Sequence, residues 1–145
     1  MDYFAIGSDY YFKLDYKNAI LNYRQAFNRN KNKPELPYAL WVVLVDNFGM
    51  AYGVTKDYGR AIDVFEYGIA NAPDYPLFYY NLACTYAEKG DSKKAVSNLY
   101  KAYWRRDNNL PGEKIPNPLT DDSFTGMLDN KDFQKIAGMI NEANR

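Results

Sequence analysis

Small and large apolar positions recur along this chain in a fixed order. A tyrosine is followed nine positions later by an alanine at Tyr10 and Ala19, Tyr52 and Ala61, and Tyr86 and Ala95. Twelve positions before each alanine stands a small residue (Gly7, Gly49, Ala83), and directly before that a large apolar one (Ile6, Phe48, Leu82). Four positions after each alanine comes a bulky side chain (Tyr23, Phe65, Leu99), and seven after it a small one (Ala26, Gly68, Ala102). Residues three and four apart share a helix face. Each copy therefore predicts two helices with matched notches of little or no side chain, through which the partners approach closely. A bulky or charged residue in a notch forces the helices apart, at about 1–3 kcal/mol. Such self-similarity marks a stack of small helical units rather than one globular core.

The turns between paired helices are also legible. Asp15-Tyr16, Asp57-Tyr58 and Asp91-Ser92 precede the alanines at one offset, and aspartate is a strong helix N-cap. Gly90 stands where the preceding helix should end with positive φ. Pro73 and Pro76 bracket the start of the third copy, where a missing N–H does no harm.

The second and third alanines are 34 residues apart, and Pro73-Asp74-Tyr75-Pro76 leads into Tyr80-Asn81-Leu82-Ala83-Cys84-Thr85-Tyr86. On these residues the chain resembles the tetratricopeptide repeat family over residues 2 to 106. The resemblance implies an all-α fold: an α-α superhelix, or solenoid, of three helix pairs in a right-handed stack. It places the repeats at about 2–34, 35–73 and 74–106, with a connector at 107–119 and two C-terminal capping helices in 120–145. The first two alanines are 42 residues apart, and the surplus falls around Asn28 to Pro37. Trp41, Leu44, Val45, Phe48 and Tyr52 keep helical spacing, which predicts a helix start near Pro37 after a longer basic loop through Arg29, Lys31 and Lys33. The closing proline of the family pattern is Pro73 in the second repeat; it has slipped to Pro34 in the first, and Asp107 replaces it in the third.

Leu110 to Leu119 carries Pro111, Gly112, Pro116 and Pro118 and reads as non-helical. Asp121, Asp122 or Ser123 then caps a short helix through Leu128. Asn130 or Asp132 starts a last helix to about Ala143, with Phe133, Ile136, Ala137 and Ile140 on one face. Asp122-Ser123-Phe124 and Asp132-Phe133 look like segments that follow such repeats in bacterial proteins. A terminal repeat needs its apolar face covered, so the tail is expected to cap the stack.

The chain has 145 residues, a length that suits one domain. Charged residues are 25% and balanced to a net charge of zero, which argues against nucleic-acid binding driven by bulk charge. There is no histidine and one cysteine, Cys84. That leaves no internal disulfide, no zinc set and no partner for a cysteine nucleophile. No cofactor, metal or catalytic residue is expected. No run approaches the roughly twenty apolar residues of a membrane span. Met1-Asp2-Tyr3-Phe4 lacks the basic and apolar regions of a leader, so the plain reading is cytoplasmic; a secreted chain trimmed of its leader reads the same way. Of fifteen tyrosines, Tyr10, Tyr23, Tyr52 and Tyr86 hold repeat positions, and Tyr79, Tyr80, Tyr100 and Tyr103 are expected to line surfaces.

In the family the first helix of each pair lines a concave groove. The positions that follow by register are Phe4, Ser8, Tyr11 and Phe12; Val43, Asp46, Asn47 and Met50; and Leu77, Tyr80, Asn81 and Cys84. Asn47 and Asn81 are 34 residues apart, and each amide offers a donor and an acceptor to a peptide backbone. The competing reading makes them solvated helix residues and packs the aromatics under a neighbouring helix. Chaperone-binding members grip a terminal carboxylate with lysine and arginine. Here those positions read Phe4, Ser8, Asn47, Leu77 and Asn81, so no chaperone C-terminal tail should bind.

The expected function is thus a non-enzymatic protein- or peptide-interaction module, with a self-associating homodimer scaffold as the alternative. Neither membrane nor nucleic acid is expected as a partner. Lys101, Trp104, Arg105 and Arg106 form a basic aromatic corner that reads better as a helix end than as a phosphate site. Asp121, Asp122, Asp129 and Asp132 lack calcium-loop spacing, and Gly112-Glu113-Lys114 is not a phosphate loop.

Overall fold

A computed structural model describes residues 1–145. The chain is all-α. It divides into two compact units, residues 1–70 and 71–145.

The first unit holds α1 (Tyr3–Phe12), α2 (Tyr16–Asn32), α3 (Tyr38–Val54) and α4 (Tyr58–Asn71). The notches work as the spacing predicts. Ala19 and Ala61 are fully buried. Gly7 faces the Tyr23 ring and Gly49 the Phe65 ring, each closer than a β-carbon would tolerate. The apolar floor is completed by Val42, Leu44, Val45 and Phe48 of α3.

One expectation changes. Arg29 and Lys31 lie on α2, which runs on to Asn32, and the loop begins only at Lys33. The extension is held by its own side chains. Asn30, buried, accepts the N–H groups of Glu35 and Leu36 at 2.9 Å each. Arg29 stacks over Tyr3 and donates to the Met1 carbonyl, and Lys31 sits over Tyr67. Pro37 then stands at the N-cap of α3.

In the second unit α5 (Pro76–Glu88) and α6 (Ser92–Trp104) form a hairpin. Three short 3₁₀ turns follow at Arg106–Asn108, Pro118–Thr120 and Asp122–Met127, and then α7 (Lys131–Ala143). The connector is therefore not wholly irregular, and the first capping element is a 3₁₀ turn rather than an α-helix. Asp121 and Asn130 cap the last two elements as anticipated. Phe133, Ile136, Ala137 and Ile140 are buried where α7 packs on α6. Glu113 accepts from the Tyr75 hydroxyl and the Leu110 N–H, which fixes the connector.

All three hairpin turns use one device. The N–H of Asp15, Asp57 and Asp91 returns to the carbonyl of Tyr10, Tyr52 and Tyr86, at 2.9 Å each time. The same aspartates cap the following helix, accepting from Asn18, Arg60 and Lys94 N–H. The residue before each aspartate is left-handed: Leu14 at φ 62°, Lys56 at 64° and Gly90 at 86°. This is the Schellman pattern of helix termination.

Candidate functional site

In the first unit the candidate positions of α1 and α3 come together, for these two helices touch directly. Gly7 lets α1 close on α2, and this brings the Tyr23 hydroxyl up between α1 and α3. It donates to Ser8 Oγ at 3.0 Å and accepts from Asn47 Nδ2 at 3.4 Å. Ser8 and Asn47 are thus joined through one phenol. The rings of Phe4 and Tyr11 lie 6.2 and 6.1 Å from that of Tyr23. Burial, followed by the nearby Asp46 carboxylate, pushes the Tyr11 hydroxyl above its ordinary range. The phenol therefore stays a protonated donor.

Val43, Asp46, Asn47 and Met50 are each part-buried. At the far end of both helices the face opens. Phe12 is 75% exposed, and Val54, its register equivalent on α3, is 51% exposed. Val54 was not among the positions singled out from sequence; the 42-residue offset from Phe12 is the signal that identifies it.

In the second unit the corresponding face of α5 is covered. Leu77 is part-buried, and Tyr80, Asn81 and Cys84 are buried. Tyr79 and Tyr80, expected at a surface, both lie in the interior. The cover is the chain's own tail. Asp121 Oδ2 accepts from the Tyr80 hydroxyl at 2.8 Å and stands 3.7 Å from Cys84 Sγ. Ser123 Oγ donates to Glu88 at 3.0 Å. Phe124 meets Tyr80 edge-on at 6.0 Å and stacks on Phe133 at 5.2 Å. Burial is the main cause, and Asp121 a further one, that pushes both the Tyr80 phenol and the Cys84 thiol well up. A thiol held protonated in this way is a poor nucleophile.

The basic corner is occupied by its own helix end. Arg105 donates to the carbonyls of Pro73 and Lys101 and lies over Tyr79. Arg106 donates to the Tyr103 carbonyl and stacks on that ring. Trp104 is 67% exposed beside Tyr100. Of the acidic residues, Asp121 is a cap and latch, and Asp132 lies in the first turn of α7. No group of three or more histidine, cysteine, aspartate or glutamate side chains converges. No helix is long and apolar enough to cross a membrane.

The family model for the tetratricopeptide repeat matches residues 64–97, from the middle of α4 into α6. No curated protein matches the chain. Outside that segment the same small–large register and the same aspartate turn recur in α1 to α4, where they build the same kind of helix pair. With its repeated hairpins and matching segment, the chain belongs to the tetratricopeptide-repeat family of protein–protein interaction modules.

Proposed function

We propose that this protein is a non-enzymatic interaction module that receives a partner segment on the α1–α3 face of its first unit. The reading rests on one observation above all: on α5 the equivalent face already carries a non-helical segment, residues 121–124 of the same chain. Such a face accepts an extended chain through one polar latch and one ring. On α1 and α3 the equivalent stripe ends in Phe12 and Val54, both well exposed. These two supply apolar area, Met50 an adaptable side chain, and the Asn47 carbonyl an acceptor for a backbone N–H.

The test is affinity capture from the native cell with the full chain and with a Phe12→Ser/Met50→Ser variant, followed by titration of each purified partner. A partner of this face loses at least about tenfold in affinity in the variant while helix content is unchanged. Equal affinity for both proteins rejects the face.

A self-associating scaffold is the second reading. It draws on apolar side chains that stand in solvent, among them Leu14, Leu21 and Leu40. Light scattering across a hundredfold range of concentration separates the two. A concentration-independent dimer that Phe12→Ser/Met50→Ser dissolves favours the scaffold.

A further inference from the structure

The tail on α5 shows which positions of the face touch an occupant. Its polar contacts fall on Tyr80, Cys84 and Glu88, four residues apart and so on one stripe. The 34-residue period carries that stripe to Asp46, Met50 and Val54 of α3, and the 42-residue offset carries it on to Phe4, Ser8 and Phe12 of α1. The chemistry at the first position is inverted. In the second unit Tyr80 is a donor, and it takes a carboxylate. In the first unit that place belongs to Asp46, an acceptor with a negative charge.

The surroundings reinforce the inversion. Neither α1 nor α3 contains a lysine or arginine, and Asp46 is the one charged residue of α3. Asp9, the charge of α1, is engaged by Lys13 at 2.8 Å. Lower down, where Glu88 takes the Ser123 hydroxyl, the first unit has Val54 and Phe12, both well exposed. A polar latch is replaced there by apolar area.

We infer that the α1–α3 face selects a short segment with a lysine or arginine set against Asp46 and an apolar residue against Val54 and Phe12, with Asp46 as the specificity-determining residue. The inference rests on the interaction reading above and adds the chemistry of the partner. Charge complementarity supplies selectivity more than affinity, and a like charge facing Asp46 would reject acidic segments.

The experiment is selection of phage-displayed random octapeptides on the full-length protein, in parallel on wild type, Asp46→Asn and Asp46→Lys. Clones from wild type should be enriched in lysine and arginine about threefold or more over the unselected library, paired with aliphatic or aromatic residues. Asp46→Asn should weaken that bias and Asp46→Lys turn it toward aspartate and glutamate. A synthetic peptide from a selected clone should shift the Met50 methyl resonance and leave Met127 and Met139 unmoved. Binders without a basic bias, or a bias that survives Asp46→Lys, or a peptide that leaves Met50 unmoved, overturn this inference and spare the broader reading. No binders on any of the three proteins overturns both.

Discussion

A β-carbon on Gly49 would stand 2.5 Å from Cε1 of Phe65. The repeat sets a glycine at this notch where the facing residue is a ring: Gly7 with Tyr23, Gly49 with Phe65. In the third copy the register pairs Ala83 with Leu99. The size of one residue is thus matched to the size of its partner on the other helix.

Gly49→Ala should destabilise the protein by about 1–3 kcal/mol, although alanine is the better helix former by roughly 1 kcal/mol. Gly138 is the control, since a methyl group added there would meet nothing within 4 Å. Gly138→Ala should stabilise α7 by a few tenths to about 1 kcal/mol. Combining Gly49→Ala with Phe65→Leu recreates the third-repeat pairing, so the double variant should lose less than the two single losses added, by at least about 0.5 kcal/mol. Strict additivity in urea melts would show that the two side chains do not share the notch.

The turns give a second measurement. Leu14 and Lys56 are left-handed without being glycine, whereas the third turn uses Gly90. A left-handed L-residue costs about 1 kcal/mol or more, partly offset by its stiffer unfolded chain. Lys56→Gly should therefore raise stability by a few tenths to about 1 kcal/mol, and Gly90→Ala should lower it by about 0.5–1.5 kcal/mol. The Gly90 site is sterically open, so any loss there is a backbone effect. A lower Tm for Lys56→Gly would contradict the geometry.

Alkaline pH gives a third. Tyr11, Tyr23 and Tyr80 each have a folded-state value raised, by burial first. The unfolded chain, with phenols near 10, loses those protons first as pH rises. The stability these groups contribute is complete below about pH 10 and is lost as pH climbs past it. Melting temperature should fall steeply from there, with tyrosinate absorbance appearing in step with loss of helix. Tyr80→Phe should reduce the alkaline loss, and at neutral pH it should cost about 1.5–3 kcal/mol, because Asp121 loses a hydroxyl donor. Full tyrosinate formation near pH 10 with the helices intact would refute the burial account.

The helix pairs were legible because their signal is local. Gly7, Ala19 and Ala26 lie within one hairpin, and the aspartate turns within one span of nine residues, so period and size decide the outcome. The fate of the face was not local. Tyr80 and Asp121 are 41 residues apart in sequence, and no periodicity says that the tail returns to lie on α5. The α2 extension escaped for a similar reason. Arg29 and Lys31 look like loop charges until their stacking on Tyr3 and Tyr67 is seen. The left-handed Leu14 and Lys56 carry no compositional mark at all; only their alignment with Gly90 gives them away.

Each turning aspartate has two duties at once. Its N–H closes the helix behind it, and its carboxylate and carbonyl open the helix ahead. A joint made of one shared residue has no slack, so a hairpin cannot lengthen without losing an end of one rod or the other. Growth is confined to the seams between hairpins, and the eight extra residues of the first repeat sit at such a seam, absorbed by the longer α2 and the residues up to Pro37. Spacer length between modules can drift across generations while the angle inside each module is inherited unchanged.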